Sequence, residues 1–232
     1  MKTLIIIPTY NEKENIENII KTCFLTVNSG VSILIIDDSS PDGTSILVEN
    51  LQKEYSDLFL TKRAGKNGLA SAYVEGFKWG LNNGYDIFLE MDADFSHNPK
   101  YIIEMLEKIK VYDVVIGSRN IKGGKVTGWS VLRSLISKGG SLYSRKVLNC
   151  NIKDLTGGFN MWQRHVLEKM DFDTIISKGY MFQIELKYKA YKNNFSIIEI
   201  PIEFVDRKLG ESKMNKSVFI EALFNIWKIK WK

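Results

Sequence analysis

The sequence predicts an α/β fold with a mainly parallel, Rossmann-like sheet and helices on both faces. Three observations predict it. Apolar, β-rich runs alternate with segments of helical period. Acidic and small polar clusters follow the runs, where the loops of an open parallel sheet gather at the carboxyl ends of its strands. No internal repeat, low-complexity tract or Pro/Gly/Ser linker divides the chain, so residues 1–232 are expected to form one domain.

In chain order, the strands are expected at Thr3–Thr9, Val31–Ile36, Leu58–Thr61, Asp86–Met91 and Asp113–Gly117. The first helix, Glu14–Leu25, carries Ile16, Ile19, Ile20 and Cys23 on one face. Ser45–Tyr55 carries Ile46, Leu47 and Leu51, and Leu69–Leu81 is rich in small residues. After Lys153 the pattern turns to α+β, with a strand-like "SIIEIPIEF" and a C-terminal amphipathic helix over about 216–231.

Composition bounds the function. The 232 residues are 44% hydrophobic and 25% charged, which suits a sizeable core and excludes disorder. Apolar stretches such as "LIII" fall far below the roughly 20 residues of a membrane span. No leader pattern follows Met1, so the expected location is the cytoplasm. Cys23 and Cys150 lack metal spacing and are expected to be reduced thiols, so any metal must be held by carboxylates.

Three clusters follow strands: "PTYNE" after the first, "DDSSPDGT" after the second and "DADFSH" after the fourth. They are expected to converge on one crevice. Asp92 and Asp94, with Ala93 turned away between them, suit a hard cation such as Mg²⁺ or Mn²⁺ that keeps positions open for phosphate oxygens. The alternative is that Asp94 or Ser96 caps the helix beginning near Pro99.

Net charge is +5, and it is unevenly spread. Val114–Lys153 contains no Asp or Glu but holds Arg119, Lys122, Lys125, Arg133, Lys138, Arg145, Lys146 and Lys153. Trp129, Leu132, Leu135, Ile136, Leu142 and Tyr143 are interleaved with them, which favours an anionic partner with an apolar part over a merely solvated basic face.

"PTYNE", "DDSSPDGT", "KNGLASAYVEGF", "MDADFSHNP", "VIGSRNIKGGKV", "LRSLISKG" and "EIPIEFVDRKLGESKM" stand in one order from Ile7 to about Met214. The ordered set resembles family 2 glycosyltransferases of the GT-A fold, and within them the catalytic domain of dolichyl- or polyprenyl-phosphate mannose synthases. The resemblance implies that Pro8, Tyr10 and Glu12 border the nucleotide, and that Ile36 and Asp38 hold its base and ribose. A carboxylate at Asp38 can accept from the ring N–H of guanine or uracil, the alternative being an Asx-turn at the strand exit. It further implies a metal and diphosphate-sugar site at Asp92, Ala93, Asp94 and Ser96, closed by Arg207 and Lys213 on a loop with Gly210. Arg119, Arg133 and Ser137 match the family's acceptor-phosphate positions, inside the acid-free segment.

The implied reaction is inverting, metal-dependent transfer of mannose from GDP-mannose to a polyprenyl (dolichyl-type) monophosphate, with Asp94, Arg119 and Arg133 carrying the chemistry. A phosphate nucleophile is already anionic and needs no protein base. Donors such as UDP-glucose remain open, because base and sugar depend on pocket details of a few atoms. An aspartyl-phosphate phosphatase would place its Asp-x-Asp after the first strand, and acidic strand ends would repel nucleic acid. The lipid acceptor predicts a peripheral enzyme on the cytoplasmic face of a membrane. Trp227, Trp231, Lys228, Lys230 and Lys232 suit an interface, and a separate membrane subunit is the other route to the lipid.

Overall fold

Strands β1 (Thr3–Thr9) and β2 (Val31–Asp37) are buried along nearly their whole length. Helices cover both faces of the sheet, which is why these strands read as unbroken apolar runs. The structure is a computed structural model that describes residues 1–27, 29–175, 177, 179–206 and 225–231. With β3 (Leu58–Lys62), β4 (Ile87–Glu90), β5 (Val114–Ser118), β7 (Asn160–Gln163) and β8 (Ile197–Pro201), they form a seven-stranded sheet ordered β3-β2-β1-β4-β7-β5-β8. A separate parallel pair joins β6 (Lys125–Thr127) to β9 (Glu203–Val205).

Alternate residues of β1 enter different cores. Leu4 and Ile6 join Tyr73, Phe77 and Phe88 on one side, packed by α3 (Leu69–Asn82) and α7 (Tyr180–Lys192). Ile5 and Ile7 join Ile16, Ile19 and Ile102 on the other, packed by α1 (Lys13–Thr26), α2 (Thr44–Leu51) and α4 (Ile102–Lys108). The small residues of α3 let it lie close on the sheet. A Cβ at Gly76 would come 2.6 Å from Ile6 Cγ2, and one at Gly80 would meet the Phe88 ring and come 2.7 Å from Leu4 Cδ2.

The five strands and three helices expected of the first half are present, with ends moved by a few residues. Two differences lie in the second half. Asn160–Gln163, where the sequence predicts no strand, is β7, which runs antiparallel between β4 and β5. The stretch "SIIEIPIEF" is not one strand: β8 ends at Pro201, and after Ile202 the chain leaves the main sheet as β9. Proline removes a ladder donor, which suits it to a strand end.

Helices α5 (Val131–Leu148) and α6 (Arg164–Glu168) complete the labelled elements. Cys23 and Cys150 are buried free thiols, as expected, and burial pushes the Cys23 thiol up to about 12. Of the proposed C-terminal helix, residues 225–230 are helical and the stretch from 207 to 224 lies outside the described residues. Among the described residues no helix is long and apolar enough to cross a membrane.

Candidate active site

The loops after β1 and β2 are tied to each other by backbone donors. Asn11 N–H donates to Ser40 Oγ at 3.0 Å, Glu12 N–H to Thr44 Oγ1 at 3.0 Å and Lys13 N–H to Asp42 Oδ2 at 3.1 Å. Polar residues after these strands thus satisfy amides that a helix start leaves without intrahelical partners. The Asx-turn considered for Asp38 belongs to Asp37, which accepts from Ser40 N–H at 2.9 Å, Ser40 Oγ at 2.6 Å and Thr9 Oγ1 at 2.8 Å. Asp38 accepts instead from Arg63 Nη1 at 2.6 Å and Gly68 N–H at 3.0 Å. Its side chain and that of Arg63 are 9% and 6% exposed, so this pair is largely desolvated. Ile36 is buried at the end of β2, while Pro8, Tyr10 and Glu12 are half-buried. Lys66 Nζ lies 3.9 Å from the centroid of the Tyr10 ring.

The carboxylate loop follows β4. Asp94 Oδ1 accepts from Ser96 N–H at 3.0 Å, and Tyr73 OH lies 3.5 Å from Asp92 Oδ1. Helix capping, the alternative for this loop, falls to Asn98, whose side chain accepts from Lys100 N–H. Ala93 is buried in the core, as expected for the residue between two outward carboxylates. His97 is buried and stacked on Phe159 with ring centroids 5.0 Å apart. Burial pushes its pKa down to about 4, so it is a neutral imidazole whose Nδ1 accepts from Asp92 N–H at 3.1 Å. Its 3.8 Å approach to Asp92 Oδ2 is therefore not an ion pair.

Among the described residues no group of three or more His, Cys, Asp and Glu side chains is placed to hold a metal ion. Asp92 and Asp94 are nevertheless hard oxygen donors on one short loop, and the Asp92 side chain is 37% exposed. Beside them the Ser96 hydroxyl is buried with no hydrogen-bond partner among the described residues. That donor set fits Mg²⁺ or Mn²⁺ completed by substrate phosphates, the usual manner for such ions.

Beneath the loop lies a polar network that sequence reasoning missed. Glu90, fully buried at the end of β4, accepts from Asn160 Nδ2 and Trp162 Nε1 at 2.9 Å each and from Gln183 Nε2 at 2.8 Å. Burial pushes it up to about 7 despite these bonds. Lys187, also fully buried, donates to the carbonyls of Asp154, Leu155 and Gly157 at 2.8, 3.4 and 2.6 Å, and burial lowers it to about 8. One signal was available: Gln183 and Lys187 stand four apart on the face of α7 that turns inward.

Arg119 leaves the end of β5 and meets Asp154, which the sequence reading did not single out. Its Nε and Nη2 bind the two carboxylate oxygens at 2.8 and 2.7 Å, and Nη2 also reaches Thr156 Oγ1 at 3.0 Å. Despite full burial, the guanidinium holds the Asp154 carboxyl well below the usual carboxylate range. Arg133 pairs with Asp206 at 2.9 Å. The Trp129 ring is approached by both arginines, at 4.3 Å from the Arg133 guanidinium and 5.7 Å from that of Arg119. A pocket of about 240 Å³ opens beside them, lined by Arg119, Lys125, Trp129, Ser134, Ser137 and Lys138 among others. Ser137 thus joins Arg119 in one cavity, whereas Arg133 does not line it and packs on the Trp129 ring that does. Arg207 and Lys213 lie outside the described residues.

Residues 4–171 match the family described as Glycosyl transferase family 2. The chain belongs to that family. As a family 2 glycosyltransferase it is 43% identical to the polyprenol monophosphomannose synthase of Mycolicibacterium smegmatis, over 99% of this chain and 88% of that one. It is 41% identical to the undecaprenyl-phosphate mannosyltransferase of Micrococcus luteus, over 97% and 93% of the two chains. Its fold matches glucosyl-3-phosphoglycerate synthase of Mycobacterium tuberculosis in complex with phosphoglyceric acid, with a TM-score of 0.72 over 98% of this chain and 80% of that one. The same enzyme with Mn²⁺, UDP-glucose and phosphoglyceric acid gives 0.70 over the same shares. Identities of 15% and 16% make this a statement about the GT-A fold alone.

Proposed function

We propose that this glycosyltransferase moves mannose from GDP-mannose to a polyprenyl monophosphate, with inversion at the anomeric carbon. The observation that carries the reading is the basic pocket of Arg119, Lys125 and Lys138, walled by Trp129 and Val126, in the segment without acidic residues. It suits a phosphate with an apolar tail, and both curated relatives are named for mannosyl transfer to such lipids. The guanine ring would sit against Tyr10, Ile36 and Asp38, with the diphosphate over the Asp92–Asp94 loop.

Asp92 and Asp94 would hold Mg²⁺ or Mn²⁺, supplying positive charge to the diphosphate leaving group. The M. tuberculosis enzyme in complex with Mn²⁺ and UDP-glucose supports a divalent ion. Arg119, with Ser137 in the pocket and Arg133 stacked on its Trp129 wall, holds the acceptor phosphate against repulsion from the donor. A phosphate oxygen forms the new bond to the anomeric carbon as the bond to the diphosphate breaks, its electron pair leaving with GDP. Arg207 and Lys213 are assigned to the departing diphosphate. No side chain need remove a proton, since the nucleophile is already anionic.

The lipid acceptor calls for a membrane surface. Leu135, Ile136 and Leu142 are 62%, 40% and 50% exposed on α5, the helix that also lines the pocket. Trp227 donates to Tyr143 OH of α5 at 2.9 Å, which sets the exposed Trp231 and Lys230 beside that helix. Such a mixture suits the bilayer interface. A peripheral position on the cytoplasmic face, with or without a membrane subunit, follows from this reading.

The test is to incubate the full chain with GDP-mannose, UDP-glucose or another donor, a short polyprenyl phosphate and Mg²⁺ or Mn²⁺, and to identify the lipid. A β-mannosyl phospholipid from GDP-mannose is expected. Faster transfer of glucose from UDP-glucose would replace the donor assignment. Release of inorganic phosphate with no lipid product would overturn the reaction class.

A further inference from the structure

We infer that Asp154 is a positioning residue for the acceptor phosphate, acting by fixing which edge of Arg119 faces the pocket. The inference rests on the acceptor reading above and adds a residue to it. Asp154 is fully buried. Beyond the fork of Arg119 it accepts from the backbone N–H of Arg119 at 2.9 Å and of Gly157 at 3.0 Å. Glu199 accepts from Lys153 N–H at 2.8 Å and from Asp154 N–H at 2.9 Å. From the other side Lys187 gathers the carbonyls of Asp154, Leu155 and Gly157. The carboxylate is thus held by main chain before it holds Arg119.

A buried ion pair adds little net stability, because desolvating both charges offsets most of their attraction. What it supplies here is direction. The clamp grips the guanidinium by Nε and Nη2, which fixes the plane of the group and the way it meets the pocket wall. Only 8% of the Arg119 side chain is exposed, and it lines the pocket. A long side chain fixed in advance loses less rotamer freedom when its anion arrives. Lys187 is a second buried cation close to Asp154, so the carboxylate does not cancel the positive field of Arg119 alone.

The experiment is a double-mutant cycle on the full chain with GDP-mannose, Mg²⁺ and a water-soluble short prenyl monophosphate, in the absence of vesicles. Asp154→Asn turns an amide N–H toward the fork, so Arg119 must rotate. The KM for the prenyl phosphate is expected to rise about tenfold, the effect of misdirecting one charge-assisted hydrogen bond. The donor KM should change less than about twofold, since the two substrates use separate residues. In an Arg119→Lys background, where the fork is already lost, Asp154→Asn should add less than about twofold to the acceptor KM. A merely structural role would lower Tm in both backgrounds and leave this split absent. Equal losses for donor and acceptor, or the same tenfold loss in both backgrounds, overturn the inference. If Asp154→Asn does not fold, Thr156→Val decides: it removes one contact to Nη2, a smaller rise in acceptor KM is expected, and no rise overturns the inference. A wild-type chain that uses no prenyl phosphate overturns the acceptor reading and this inference together. Use by the wild type with an unmoved KM in Asp154→Asn overturns the inference alone.

Discussion

Glu90→Gln should change the pH dependence of stability more than its value at any one pH. Burial raises the Glu90 carboxyl from 4.5 to about 7 in the folded protein. Between those values the unfolded chain has released the proton and the folded one keeps it, so stability falls as pH rises from about 4.5 through 7. At 1.36 kcal/mol per unit, that interval amounts to about 3 kcal/mol, most of it between pH 5 and pH 8. Lys187 has the opposite limb. Its pKa is depressed from 10.5 to about 8, so its contribution is present above 10.5 and is lost as pH falls through 8. Buried His97, lowered from 6.5 to about 4, adds stability as pH rises over nearly the window in which Glu90 loses it, so the Glu90 effect is read in the difference between wild type and variant, where His97 and Lys187 cancel. Gln at position 90 cannot ionise, and its amide faces N–H groups of Asn160, Trp162 and Gln183, costing about 1–2 kcal/mol at pH 5. The two stability curves should converge and cross by about pH 8. Urea unfolding followed by tryptophan fluorescence at pH 5, 6, 7 and 8 measures this. A difference between wild type and variant that stays constant within about 0.5 kcal/mol across the series would refute the reasoning.

Excess chelator, Asp92→Ala or Asp94→Ala is expected to abolish transfer, because the leaving diphosphate loses its counter-charge; full turnover in chelator counts against the metal assignment. Arg133→Ala should weaken use of the lipid phosphate at least about tenfold while leaving donor binding within about twofold, read as separate KM values. Arg63→Met strands the Asp38 carboxylate in a buried setting and should cost about 3–5 kcal/mol in urea unfolding, a loss that Asp38→Asn in the same chain largely restores. Full chain should sediment with anionic vesicles at low salt and be released at high salt, whereas absence from the pellet at low salt points to a membrane subunit.

The part of the fold that was legible owes it to burial on both faces. β1 and β2 can hardly be anything but central parallel strands, and Gly76 and Gly80 mark the close approach of α3. β7 was not legible because its polarity has distant causes. Asn160 bonds to Glu90, 70 residues away, and Gln163 to the carbonyl of Ile109, 54 away. Nothing local marks either residue as part of a strand. The acidic loops could be read as a crevice, yet Asp37 and Asp38 exchange the roles that neighbouring carboxylates suggest, since the turn is made by whichever reaches Ser40. Asp154 stood in view as the first acid after the basic segment. Its meaning depends on Arg119, 35 residues earlier, and on a lysine whose burial its helix of mixed polarity does not advertise.

The place of β7 bears on how the chain assembles as it leaves the ribosome. β1, β2 and β3 find all their described partners among β1 to β4, so that half can close once Glu90 is made, leaving only the outer edge of β4 open for β7. β5 has no such neighbour. Its partners are β7 and β8, synthesised some tens of residues later, and β7 alone joins it to β4. For that interval Val114, Val115 and Ile116 are an apolar strand with both edges open, the kind of species that aggregates or recruits a chaperone. Slowing elongation before Asn160 should therefore lower the yield of native protein more than the same delay before Leu69.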